Sequence, residues 1–228
     1  MGYIKKNIFD LKYKISKSEI QYNRPKNSVL LMAVSKTQSL ENIIEAFNAG
    51  QRDFGENYIQ ESIEKISKLK KLDIIWHYIG KIQSNKSKII AENYDWVHSV
   101  DKISTLKKIN NHRCDSKKKI NICIQVNIDY EDSKSGIVPE EVECFINDTI
   151  KLDKVNIRGL MAIPMHQADH GKQYQTFMKI KNLFDELVNK GYKLDTLSIG
   201  MSSDYEAAIA AGSSIVRIGT AIFGERKK

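Results

Sequence analysis

The chain has 228 residues, 41% of them hydrophobic, enough for one substantial core, so a single domain over residues 1–228 is expected. A net charge of +8 raises the question of nucleic acid, yet only six of the 36 basic residues are Arg and the lysines are scattered among Glu and Asp, which argues for solvated helix faces and no nucleic-acid partner. Three unpaired-looking cysteines and no apolar run long enough for a bilayer span or a signal peptide point to a soluble, cytoplasmic protein with no membrane association.

Ile4, Ile8, Leu11 and Ile15 open the chain at helical spacing, one apolar face of a leading helix. Strand-like runs follow at Val29 to Val34, Arg52 to Gly55, Ile74 to Ile79, Trp96 to Val100, Ile120 to Ile128, Val155 to Ile163, Thr196 to Ile199 and Ile215 to Ile218. Helical patterns fill the intervals: Leu40 to Ala49, Tyr58 to Leu69, Lys86 to Asn93, Ile103 to Asn111, Glu140 to Lys151, Gln173 to Lys190 and Tyr205 to Ala211. Gly50, Gly191 and Gly212 stand where helix C-caps need them. Strands alternating with helices build either an open doubly wound sheet or a closed (β/α)8 barrel, and the even spacing favours the barrel. The leading helix then packs where the last outer helix of a barrel would sit.

In a barrel, function gathers in the loops that follow the strands. Those loops carry Lys36, "GEN" with Asn57, "GKIQSNK", "DYEDSKSG", "AIPMH", "GMSSD" with Gly200, Met201 and Ser202, and "RIGT" with Arg217, Gly219 and Thr220. The last two loops suit a phosphate: glycines let the backbone approach an anion, and Ser202, Ser203 and Thr220 supply hydroxyls. An ordinary N-cap and strand end would look the same locally. A phosphate site opposite a lone lysine is the layout for pyridoxal 5'-phosphate (PLP), whose aldehyde forms a Schiff base with an amine. Spacing alone also allows Lys36 to be a solvated lysine at a strand end. Arg217 near the ring nitrogen could not accept its proton, and the ring would then be a weak electron sink.

The segments "AVSKTQ", "FGENYIQE", "WHYIGKIQSNK", "VHSVD", "SKSGI", "IRGLMAIP" and "LSIGMSSDYEAAIAAGSSIVRIGTAIFG" together resemble the pyridoxal phosphate homeostasis protein family (YggS/PROSC type), from about Val34 to Gly224. The resemblance implies the barrel of the alanine racemase N-terminal domain, PLP fold type III, without the racemase's C-terminal β domain. It implies that Lys36 holds PLP as a Schiff base, that Ser202, Gly219 and Thr220 grip the phosphate beside Gly200 and Met201, that Arg217 faces the ring nitrogen and that Asn57 lines the pocket. His77 is placed either near the ring or in the core. Lys81, Ile82 and "AIPMHQADH" depart from the family's usual pattern at the rim.

Two readings of function remain, a non-catalytic PLP-binding protein of vitamin B6 homeostasis and an amino-acid racemase. Racemisation needs acid and base groups on both faces of the substrate carbon, and in alanine racemase a second domain supplies one of them. The chain ends a few residues after the last strand, which favours the carrier. PLP-dependent apoenzymes are the expected recipients, and a monomer or weak dimer the expected state. His166 and His170 lack further ligands for a metal. Lys134 is either a second aldehyde-reactive amine or an exposed loop lysine.

Overall fold

Short apolar runs bounded by polar turns become strands. In the computed structural model, which describes residues 2–131, 134–165 and 167–225, these are β1 (Leu30–Val34), β2 (Asp53–Glu56), β3 (Ile75–Tyr78), β4 (Trp96–Val100), β5 (Ile120–Gln125), β6 (Val155–Met161), β7 (Thr196–Ser198) and β8 (Ile215–Ile218). They pair in parallel in chain order and close into a barrel. Closure runs from Leu30 opposite Ile215 to Ala33 opposite Ile218.

Around the barrel lie α1 (Tyr3–Gln21), α2 (Leu40–Asn48), α3 (Ile59–Lys68), α4 (Ser87–Asn93), α5 (Ile103–His112), α6 (Val142–Asn147), α7 (His170–Asn189), α8 (Tyr205–Ala210) and α9 (Thr220–Phe223). The apolar face of α1 buries Ile4, Ile8, Leu11 and Ile15, and the helix packs against α2, α8 and α9. It thus closes the outer ring between the last and first crossover helices. Gly50, Gly191 and Gly212 take positive φ at the helix ends, where a Cβ would be strained.

Several elements differ from the sequence expectation. β6 stops at Met161, short of Ile163, and β5 stops at Gln125, short of Ile128, where the rim chain bends away: Val126 pairs with Ile137 in an isolated bridge and Asn127 bonds the Glu131 backbone. α6 is shorter than Glu140 to Lys151, since a 3-10 turn at Pro139–Glu141 occupies its start. The one-turn helix α9 forms within a segment read as loop.

Strand residues that face the helices are apolar and buried, Phe54, Tyr78, Val97, Ile122 and Val216 among them. The barrel interior is different. His77, His98, Ser198 and Arg217 are buried there as a polar layer beneath the mouth. β4 and β7 are not neighbours in the ring, so the bond from Ser198 to His98 crosses the interior.

Candidate functional site

A cavity of about 520 Å³ opens at the C-terminal ends of the strands, within the roughly 300–1,000 Å³ range of small-molecule sites. It is lined by Val34 and Lys36 from β1 and its loop, Asn57 after β2, Ile79 after β3, Met161 at the end of β6, Met201, Ser202 and Ser203 after β7, and Arg217, Gly219 and Thr220 from β8 onward.

Lys36 is held from both sides in the chain. Ser35 before it is fully buried and donates its hydroxyl to Glu56 Oε1 at 2.7 Å. Thr37 after it adopts φ 64°, a left-handed conformation costly for a β-branched residue, on the order of 1–3 kcal/mol. The backbone N–H of Thr37 donates to Glu61 Oε1 at 2.7 Å, and its hydroxyl donates to the Lys36 carbonyl at 2.6 Å. Behind this turn the buried Lys65 ammonium donates to the Ser35 carbonyl at 2.7 Å, to Glu56 Oε1 at 2.8 Å and to Glu61 Oε1 at 2.5 Å. An ammonium has three protons, and here each has an acceptor. Burial pushes the Glu56 carboxyl upward, with the Lys65 charge pulling against it. The lysine turn is therefore clamped by buried charge.

The opposite wall is made mostly of backbone. Gly200 takes φ 95°, and a Cβ there would come within 2.6 Å of the Ala208 side chain, so only glycine lets β7 turn into α8 at this distance. Asp204 accepts the Met201 N–H at 2.6 Å and shapes the turn that carries Ser202 and Ser203. The Arg217 N–H donates to the Gly200 carbonyl at 3.0 Å, which ties this loop to β8. On the β2 side, a Cβ on Gly80 would lie 2.2 Å from the Asn57 carbonyl, so the two loops pack backbone to backbone. Asn57 is held at the rim by that contact, and its Oδ1 is buried with no hydrogen-bond partner among the described residues.

Arg217 is 5% exposed and forms the floor of the cavity. Its Nη1 donates to the Ser198 carbonyl at 2.5 Å and to Ser198 Oγ at 2.9 Å, and its Nη2 donates to the Ala162 carbonyl at 3.0 Å. Burial lowers its pKa to about 10, which leaves the guanidinium charged at neutral pH. The cavity thus offers a primary amine, a fixed cation, an acceptor lacking a donor and hydroxyls beside glycine backbone. That set suits a small anionic aldehyde.

The family description "Alanine racemase, N-terminal domain" matches residues 18–227. The pyridoxal phosphate homeostasis protein of Escherichia coli K12 is 42% identical over 229 aligned positions, covering 99% of this chain and 98% of that protein. The chain belongs to the pyridoxal phosphate homeostasis protein family. In three dimensions it is similar to PipY of Synechococcus elongatus PCC7942, solved with PLP bound, with a TM-score of 0.80, 33% identity, and coverage of 92% of this chain and 100% of that one. An alanine racemase of Clostridium difficile in complex with cycloserine shares the fold alone, with a TM-score of 0.72 and 16% identity over 96% of this chain and 60% of the racemase.

In this family member the structure brings together Lys36, Asn57, Met201, Ser202, Arg217, Gly219 and Thr220 around one cavity, with Gly200 directly behind its wall. His77 is not in the lining. It lies deeper in the barrel, stacked on Trp96 at 5.6 Å between ring centres and bonded to Asp53 and His98, so of its two sequence-based placements the core one describes it. Lys134 pairs with Glu131 at 2.5 Å and lies outside the cavity lining. His166 falls outside the described residues, and among those no group of three or more metal-ligating side chains occurs. No helix among the described residues is long and apolar enough to cross a membrane.

Sequence reasoning missed Glu56, Glu61 and Lys65, whose role depends on α3 folding back beneath β1, and His98 and Ser198, which meet across the barrel. "FGENYIQE" contains Glu56 and Glu61 but gives no local sign of a partner.

Proposed function

We propose that this protein binds PLP through Lys36 and serves vitamin B6 homeostasis by holding and releasing the cofactor without turning over substrates. The reading rests on the likeness to PLP-binding relatives and on the fit of the cavity. Lys36 Nζ is the amine that would condense with the aldehyde, releasing water; Ser202, Thr220 and the backbone at Gly219 would receive the phosphate; Arg217 would face the ring nitrogen as a donor. Asn57 Oδ1, buried and lacking a donor, would gain one from the ligand. When bound, PLP supplies an electron sink, whose strength depends on protonation of the ring nitrogen.

The single observation that carries the non-catalytic reading is the lining itself. Among the described residues Lys36 is its one proton-transfer group, since Arg217 stays protonated and the remaining lining side chains are amides, hydroxyls and apolar groups. Racemisation needs a second acid or base on the opposite face of the substrate carbon. Lys36 alone can hold or move a proton on one face only.

Loaded protein incubated with single L-amino acids in deuterated water should show α-proton exchange near background and no D-isomer. The same preparation should restore activity to a PLP-dependent apoenzyme faster than its own spontaneous release into buffer. Rapid exchange with turnover for any amino acid would replace this reading with the racemase.

A further inference from the structure

The polar layer under the cavity is a chain of four hydrogen bonds. Asp53 Oδ1 lies 3.0 Å from His77 Nε2, His77 Nδ1 lies 3.0 Å from His98 Nε2, His98 Nδ1 lies 3.0 Å from Ser198 Oγ, and Ser198 Oγ accepts from Arg217 Nη1 at 2.9 Å. With both imidazoles neutral, its two ends fix its direction. A guanidinium only donates, and a carboxylate only accepts. His77 must then carry its proton on Nε2 to serve Asp53, which leaves Nδ1 as an acceptor. His98 must donate from Nε2 and accept at Nδ1, and Ser198 must give its proton to His98 while receiving one from Arg217.

The chain also runs the depth of the barrel. Asp53 begins β2 at the end away from the cavity, and its side chain is 14% exposed, whereas His77, His98 and Ser198 are buried. Both histidines must be neutral for the direction to hold, because an imidazolium has no acceptor nitrogen. Burial, the neighbouring His77 and the Arg217 charge all lower the pKa of His98 well below its ordinary value. The charged and titratable groups around the chain are Lys12 near Asp53, Arg158 over the Trp96 ring on which His77 stacks, and Cys123 and Asp204 acting on Arg217. Cys123 stays a neutral thiol, pushed up to about 12 by burial.

We propose that Asp53, His77, His98 and Ser198 act as one directed relay that holds the Arg217 guanidinium in place at the cavity floor, making them positioning residues for the ligand-ring contact. The relay has a physical rationale that packing alone lacks. A barrel interior of this width is normally filled by branched apolar side chains, and four buried polar groups in series are stable only if every donor and acceptor is matched. Matching them in one sense anchors Arg217 through Nη1, while the residue lines the cavity floor. The inference rests on the PLP reading for the identity of the ligand, though the relay itself does not.

Two measurements separate those claims. Nitrogen-resolved NMR of the imidazoles in the ligand-free protein should show His77 and His98 as Nε2–H tautomers at about pH 8, with His98 still neutral at about pH 5. An Nδ1–H tautomer or a normally titrating His98 would overturn the relay whether or not PLP binds. In PLP-loaded protein, Asp53→Asn, which can reverse the first bond from the far end of the barrel, and Ser198→Ala, which cuts the last one, should each shift the pH midpoint of the imine absorbance and speed PLP release, Ser198→Ala by about tenfold. Asp195→Asn, which alters a carboxylate paired with Arg158 outside the relay, should leave both unchanged. An unshifted midpoint in both relay variants, or an equal shift in Asp195→Asn, would overturn the positioning role. An imine absent from the wild type would instead remove the PLP reading, with the tautomer result still deciding the relay.

Discussion

The lysine wall of the cavity, residues 35–37 with Glu56, Glu61 and Lys65 behind them, is held by buried charges brought together from distant sequence, whereas the opposite wall, residues 200–204 and 217–220, is held by glycine backbone and short side chains within two local motifs. The difference suits the role we propose for each wall. Schiff-base chemistry needs one amine at one place, so its backbone is over-determined, even to a left-handed Thr37. Anion binding needs many weak donors, which a close-approaching backbone supplies without fixing any single side chain.

The walls should fail differently. Lys36→Ala removes a rim amine and no core volume, so the imine absorbance should vanish completely while the circular dichroism spectrum stays that of the folded barrel; a retained band would place the covalent link elsewhere. Lys65→Met should leave Glu56 charged and unpaired in a 0% exposed position, at a cost of about 3–5 kcal/mol in denaturant unfolding. Adding Glu56→Gln to that variant should recover a large part of the loss. Equal losses in the single and double variants would mean that no charge clamp exists.

Ser202→Ala should act on retention alone, weakening it by about 1–3 kcal/mol as one phosphate donor among several is lost, with covalent loading still complete after dialysis-free mixing. Unchanged release would move the phosphate away from this wall. The smallest effect is with pH. Glu56 has a folded pKa above its unfolded value, so the folded state binds more protons between the two; its contribution is fully present below the unfolded pKa and is lost as pH rises through the folded one. Wild-type stability should therefore fall relative to Glu56→Gln as pH rises from about 4.5, with a slope no steeper than about 1.4 kcal/mol per pH unit for one proton. A Ser202→Ala variant should track the wild type across that range.

The same contrast governs what the sequence reveals. The barrel was legible because apolar runs and C-cap glycines recur in order, and the cavity wall opposite Lys36 because "IGMSSD" and "RIGT" carry their geometry in consecutive residues. Lys36 was legible as a lysine ending an apolar strand. Its clamp was not: Lys65 sits on a helix whose charge pattern reads as solvent-facing, yet it is buried, with its ammonium reaching the Ser35 carbonyl and Glu56 at the ends of β1 and β2. His77 and His98 were ambiguous for a related reason. Inward and outward positions alternate along a strand, but nothing local says that two inward histidines from β3 and β4 meet a serine from β7.

The central claim is that the lysine wall carries the cofactor, and reduction tests it most directly. PLP-loaded protein treated with borohydride, digested and mapped by mass spectrometry should carry the reduced pyridoxyl group stoichiometrically on the peptide containing Lys36. A pyridoxyl group found chiefly on Lys134, spread over surface lysines, or absent after loading would contradict it.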